Sequence, residues 1–111
     1  MEIARELVNV LENKKGEDIL LLDLREIAPF TDFFILCSGT SDRMLQALAD
    51  AAVEWMREHY HYKGRLEGEG VDGWILVDFG DVILHIFAPE KRSYYNLEEL
   101  WSAGKVLVHL Q

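Results

Sequence analysis

Apolar residues recur at helical spacing in two stretches of this 111-residue chain. Ile3, Leu7, Val10 and Leu11 predict a short amphipathic helix, with Gly16 as the glycine that follows its last turn. A longer helix is predicted after Ser38–Ser41, where Thr40 or Ser41 caps the first turn. Its apolar stripe falls at i, i+3, i+4, i+7, i+8 and i+11 and comprises Leu45, Leu48, Ala49, Ala52, Val53 and Met56.

Strand patterns fill the space between and after the helices. Residues 19–24 and 32–37 are nearly unbroken apolar runs, typical of strands that are covered on both faces. Residues 73–87 predict a hairpin whose two-residue loop is Phe79-Gly80, because Gly80 can take the positive φ of a tight turn. The strand at residues 32–37, the longer helix and the return of the chain to the sheet form a crossover unit, which we expect to be right-handed.

A strand period of two sorts the hairpin side chains onto two faces. The first face is aliphatic: Ile75, Val77, Val82, Leu84 and Ile86. The second face mixes large apolar groups with acids: Trp74, Leu76, Asp78, Asp81, Ile83, His85 and Phe87. In this register His85 lies opposite Trp74. The first face predicts core, whereas the second indicates either a binding surface or another core layer beneath a helix.

The C-terminal third predicts shorter elements. Residues 65–72 are expected to be an exposed acidic connection, and Pro89 ends the hairpin. Asn96 with Glu99 resembles a capping box that starts a helical turn, and the apolar residues of that turn are expected to face the core: Leu97, Leu100 and Trp101. Alternation at 106, 108 and 110 predicts an edge strand. The chain is thus expected to be one compact α/β domain, residues 1–111, with a mixed β-sheet flanked by helices.

Composition and charge narrow the function. No apolar run approaches the roughly 20 residues of a membrane helix, no signal peptide is apparent, and the single Cys37 fits a reducing compartment. We therefore expect a cytoplasmic protein.

Twenty acidic and eleven basic residues give a net charge of −9. Between Leu66 and Pro89 there are five acids and no Lys or Arg, which disfavours direct nucleic-acid binding and favours a basic protein partner. The alternative is that the charge only maintains solubility.

Sequence patterns for catalysis are weak. Ser38–Ser41 could cradle an anion at a helix start but lacks the lysine of a P-loop. Asp78-Phe79-Gly80 matches a kinase tripeptide without the other kinase motifs. Four aspartates could gather at strand ends around Mg²⁺, although turns are rich in Asp for their own reasons: Asp23, Asp32, Asp78 and Asp81. No set of nucleophile, base and oxyanion donors is apparent, so we expect no enzyme activity, no cofactor and no metal.

Three segments resemble the ribosomal silencing factor family, the Iojap-like proteins of bacteria and organelles. They are residues 32–41 (DFFILCSGTS), 73–85 (GWILVDFGDVILH) and 92–101 (RSYYNLEELW). The resemblance implies a compact α/β domain related to the nucleotidyltransferase fold but without its catalytic residues. It also implies binding to ribosomal protein fourteen (uL14) of the large ribosomal subunit. There, a bound factor blocks an intersubunit bridge, prevents the subunits from joining and represses translation during starvation. Homodimers are implied as well.

These inferences predict a partner-binding set of seven residues. Trp74 is the expected apolar anchor, and Asp78 and Asp81 are expected to meet Lys or Arg of the partner. The further candidates are His85, Tyr94, Tyr95 and Glu98. Two alternatives are a magnesium-dependent nucleotidyltransferase-like enzyme and a homo-oligomeric scaffold. Turnover of nucleotide that Asp→Asn changes abolish would indicate the first, and self-association alone would indicate the second.

Overall fold

A computed structural model describes residues 1–111, with one β-sheet that collects strands from most of the chain. The helices are α1 (Glu2–Asn13), α2 (Asp42–Tyr60), α3 (Pro89–Tyr95) and α4 (Leu97–Leu100), with a 3₁₀ turn at Gly70–Asp72. The strands are β1 (Glu17–Asp23), β2 (Phe33–Ser38), β3 (Arg65–Glu67), β4 (Trp74–Asp78), β5 (Val82–Phe87) and β6 (Lys105–Leu110). Their order is β3-β4-β5-β2-β1-β6. Only β2 and β5 pair in parallel, so the predicted mixed α/β sheet is confirmed.

Two apolar layers lie on the two faces of the sheet. The main core lies between the first face and helices α1 and α2. A smaller core lies on the second face, where Phe34, Leu36 and Phe87 pack against Leu97 and Trp101. Strands β1 and β2 contribute to both layers, as their unbroken apolar runs predicted. No helix is both long and apolar enough to cross a membrane.

The hairpin register differs from the prediction by two residues. Trp74 pairs with Phe87, and Leu76 rather than Trp74 pairs with His85. The loop is longer because Phe79 is buried in the main core and cannot serve as an exposed turn residue. Gly80 does take the predicted positive φ, and its N–H donates to Asp78 Oδ1 at 2.7 Å. An even shift leaves every side chain of the paired strands on its predicted face.

Helix ends confirm one prediction and correct two. Ser41 caps α2 by accepting a hydrogen bond from the Met44 N–H at 3.1 Å. Lys15, not Gly16, takes the left-handed conformation after α1. A Cβ at Gly16 would lie 2.6 Å from Cys37 Sγ, so close packing explains this glycine. The capping box at Asn96 does not form, because this residue is itself left-handed and its amide donates to the Glu99 carboxylate.

Two further differences lie in the acidic connection and the C-terminal third. The expected acidic connection contains the short edge strand β3 and the 3₁₀ turn. Leu100 is 71% exposed, so only Leu97 and Trp101 of the predicted trio reach the core. The physical reason is length: α4 is about one turn of four residues, and the side chains of a single turn point in different directions, so they cannot all face the sheet. The predicted edge strand is confirmed as β6, which is antiparallel to β1.

Candidate protein-binding surface on the second face of the sheet

The second face of the sheet is covered at one end and open at the other. Strand pairing places Arg65 beside Asp78, and Glu67 beside Leu76. Helix α3 ends next to Trp74 and leaves Leu76 and Asp78 half-buried. These five residues of β3 and β4 form what we call the open face: Arg65, Glu67, Trp74, Leu76 and Asp78.

Trp74 is held among other aromatic rings at the border of the open face. Its ring centroid lies 4.9 Å from that of Phe87 and 4.7 Å from that of Tyr95. Its Nε1–H donates to His85 Nδ1 at 3.3 Å. The indole is therefore half-buried and fixed in orientation, with part of its surface available to a partner.

His85 lies beneath this cluster and is only 4% exposed. Because indole N–H is a donor only, His85 Nδ1 must be the bare acceptor and Nε2 must carry the proton. Nε2 is buried without a hydrogen-bond partner. Burial lowers the pKa of His85 to about 4, so the ring is neutral at physiological pH. His85 thus positions Trp74 and offers almost no surface of its own.

The two predicted acidic contacts lie on different sides of the hairpin. Asp78 is on the open face, with its Oδ2 4.0 Å from the Arg65 guanidinium. Asp81 is exposed at the turn and lines a groove on the side of the main core. A second groove, of about 300 Å³, lies beside Trp74 and carries two acids and one base at its edge: Glu67, Asp72 and Lys91. The open face therefore has apolar Trp74 and Leu76 beside two acids, Glu67 and Asp78, and one base, Arg65, and it does not include Asp81.

Helix α3 supplies the two predicted tyrosines. Tyr95 is 45% exposed and packs on Trp74, whereas Tyr94 is 80% exposed and meets Tyr95 edge-on. Tyr95 extends the apolar surface of Trp74. Tyr94 projects from the molecule without a packing role toward the sheet.

Arg92 is a buried residue that the sequence analysis did not identify. Its guanidinium donates to the Asp18 carbonyl at 2.6 Å, to Ser38 Oγ at 2.8 Å and to Glu98 Oε1 at 2.8 Å. The predicted contact residue Glu98 is therefore engaged within the protein. Arg92 fastens α3 to β1 and β2, and no local pattern in a segment of Lys, Arg, Ser and Tyr distinguishes a buried arginine from an exposed one.

Of the residues considered for catalysis, Asp32 and Asp81 lie together at the hairpin turn, and the others are engaged in structural contacts. No group of three or more His, Cys, Asp or Glu side chains is arranged to hold a metal ion. Asp23 pairs with Arg25 at 2.7 Å, and this hydrogen bond lowers the pKa of Asp23 to about 2. Burial raises the pKa of Cys37 to about 12, which leaves the thiol unreactive. Ser38 accepts from Arg92, and Ser41 caps α2.

Comparison with known proteins gives one consistent result. A family model described as ribosomal silencing factor during starvation matches residues 1–111. A protein of Bacillus subtilis named ribosomal silencing factor RsfS is 42% identical over 81% of this chain and 76% of its own length. A protein of the same name from Halalkalibacterium halodurans is 38% identical over 90% of this chain and 86% of its own. A crystal structure of a Chromobacterium violaceum protein superposes with a TM-score of 0.86 at 32% identity, covering 99% of this chain and 91% of that one.

Proposed function

This chain belongs to the ribosomal silencing factor family, and we propose that it represses translation by binding ribosomal protein fourteen (uL14) on the large ribosomal subunit. The bound factor occupies the surface that the small subunit needs for an intersubunit bridge. Subunit joining then fails in the cytoplasm of a starved cell. This mechanism requires no chemical step, because two large surfaces cannot occupy one patch at the same time.

The observation that carries the proposal is the open face itself. Trp74 presents part of an indole that is already held by His85 and Tyr95. Interface centres are enriched in such aromatic anchors, and a side chain that is already ordered loses little entropy on binding. Leu76 extends the apolar centre, and Asp78 and Glu67 supply acidic groups at its border.

Electrostatics favours a protein over RNA as the direct contact. A molecule of net charge −9 is repelled by ribosomal phosphate and can approach closely only where a basic protein is exposed. Complementary charge across that contact steers the encounter and selects the partner. Asp78 is the principal acid in this contact, because its carboxylate is half-exposed and only distantly paired with Arg65.

The test adds the protein to separated subunits and measures the fraction that joins, by sedimentation through a sucrose gradient. We expect fewer joined ribosomes, sedimentation of the protein with isolated large subunits, and weaker binding as salt rises. Asp78→Asn keeps an oxygen for the Gly80 N–H and should weaken binding about two- to five-fold. Asp50→Asn on the exposed side of α2 is the matched control. Normal joining in the presence of saturating protein would exclude this function.

Self-association is a separate prediction that follows from the family resemblance. If a second copy used the open face, dimers would compete with the ribosome for Trp74. Sedimentation equilibrium of the wild-type protein and of a Trp74→Ala variant would show whether the substitution weakens a dimer, as use of the open face by a second copy predicts.

A further inference from the structure

The groove that Asp81 lines is at the tip of the hairpin, on the opposite side of the sheet from the open face. Its volume is about 320 Å³. Its floor belongs to the main core and is made by Phe33, Met56, Phe79 and Val82. We refer to it as the tip groove, and we propose that it docks a basic protein segment that carries one large apolar side chain.

The apolar walls of the tip groove indicate that the large apolar side chain of the docked segment enters it. Tyr60 is 41% exposed and Tyr62 is 44% exposed, and both stand beside the floor residues. Tyr62 packs on Phe79 with ring centroids 6.5 Å apart. Exposed aromatic rings around a buried apolar floor would release water from both surfaces when a leucine or phenylalanine side chain enters.

Acidic residues of the tip groove indicate that the docked segment is basic on either side of that apolar side chain. The side chains that line the groove include Asp32 and Asp81 and no Lys or Arg. The cations nearby are the amino terminus of Met1, which also lines the groove, and the Arg25 guanidinium, which lies 5.2 Å from the centroid of the Phe33 ring. The backbone N–H of Asp32 donates to the carbonyl of Asp81 at 3.0 Å, so the two residues are held together. Thr31 Oγ1 also donates to the Gly80 carbonyl at 3.1 Å and fixes the turn against β2. Two acidic residues whose backbones are joined at the border of the groove complement lysine or arginine on either side of an apolar residue.

The tip groove is independent of the proposed ribosomal contact. It shares no residue with the open face, and Trp74 lies on the other side of the sheet. The two sites meet only at the hairpin turn, where Asp78 of the open face precedes Phe79 of the groove floor, so a short segment at the tip groove would leave Trp74 uncovered. This arrangement would let one molecule contact two basic surfaces.

The test uses a synthetic peptide and the 111-residue protein labelled with ¹⁵N. The probe is acetyl-Gly-Lys-Lys-Leu-Lys-Lys-Gly-amide, and backbone amide shifts are followed by NMR. We expect the perturbed amides to cluster at Phe33, Met56 and Val82, with the Trp74 indole N–H unmoved. Replacing the peptide leucine by alanine should weaken binding about ten-fold, and Asp32→Asn in the protein should weaken it about three-fold.

Controls separate this proposal from simpler alternatives. Asp50→Asn removes the same charge from a distant surface and should leave peptide affinity unchanged. Equal binding of the alanine peptide would show attraction by charge alone and would overturn the proposal, as would shifts confined to the open face or no shifts at all. Asp32→Asn should still bind large subunits, so loss of the peptide site and loss of ribosome binding are distinguishable.

Discussion

Replacing Trp74 by alanine tests whether the indole serves the partner or only the fold. A fully buried tryptophan costs about 3–5 kcal/mol on truncation. Trp74 is half-buried, which reduces the packing loss to about 2 kcal/mol. Loss of the hydrogen bond to His85 adds about 1 kcal/mol. A sum of about 3 kcal/mol lies below the roughly 5–15 kcal/mol that stabilises a typical domain, so the variant should remain folded at 25 °C.

The effect of this substitution on binding should exceed what loss of folded protein explains. An aromatic anchor that an interface buries contributes at least about 2 kcal/mol, and its loss corresponds to roughly 30-fold weaker binding. Urea unfolding measures the free energy of unfolding, and co-sedimentation with large subunits measures the affinity. The control is Trp55→Ala on α2, which truncates another half-buried tryptophan on the far side of the sheet. Equal loss of binding in both variants, or unchanged binding in Trp74→Ala, would refute the reasoning.

Three further predictions follow from buried groups. Arg92→Met should lower the free energy of unfolding by about 2–3 kcal/mol. Three hydrogen bonds are lost, but the Glu98 carboxylate is partly exposed and can bind water instead. Urea unfolding measures the change, and a decrease below about 0.5 kcal/mol would contradict this prediction. The pKa of His85 is about 4 in the folded protein, below its ordinary value of 6.5. Between these two pH values the unfolded state binds more protons, so the free energy of unfolding decreases as the pH is lowered. The loss from pH 7 to pH 5 should be about 2 kcal/mol larger in the wild type than in His85→Asn; equal losses would exclude His85 as the cause. Cys37, with a pKa raised to about 12 by burial, should react with a thiol reagent at pH 8 only as fast as the protein unfolds; fast reaction in native buffer would contradict that burial.

Local chemistry made several features predictable. Ser41 caps α2 through an atom three residues from its donor, so the motif is contained within one turn. The predicted loop of the hairpin was wrong, but the side chains were assigned to the correct faces, because the side chains of a strand alternate with a period of two residues. Patterns of this kind depend on neighbouring residues alone and can be recognised in the sequence.

Long-range packing determined the features that were not predicted. Phe79 enters the core because Gly64 leaves room for its ring, where a Cβ would lie 2.5 Å away. Arg92 is buried because Asp18, Ser38 and Glu98 converge on it from separate segments. Asp81 lines the tip groove because the longer loop places it beyond the last strand pair. None of these contacts leaves a periodic signal in the chain.

The second face is a core layer at one end and exposed at the other, because the helix that covers it is short. Helix α3 has seven residues, and Arg92 anchors it above the ends of β1 and β2. Tyr95 consequently ends the cover at Trp74, and the strands beyond it stay open. The core at one end and the proposed interface at the other are thus parts of one arrangement, in which the packed end holds the indole in place. Because a preordered anchor loses less entropy on association, loosening α3 through Arg92→Met should weaken large-subunit binding although Arg92 itself is buried.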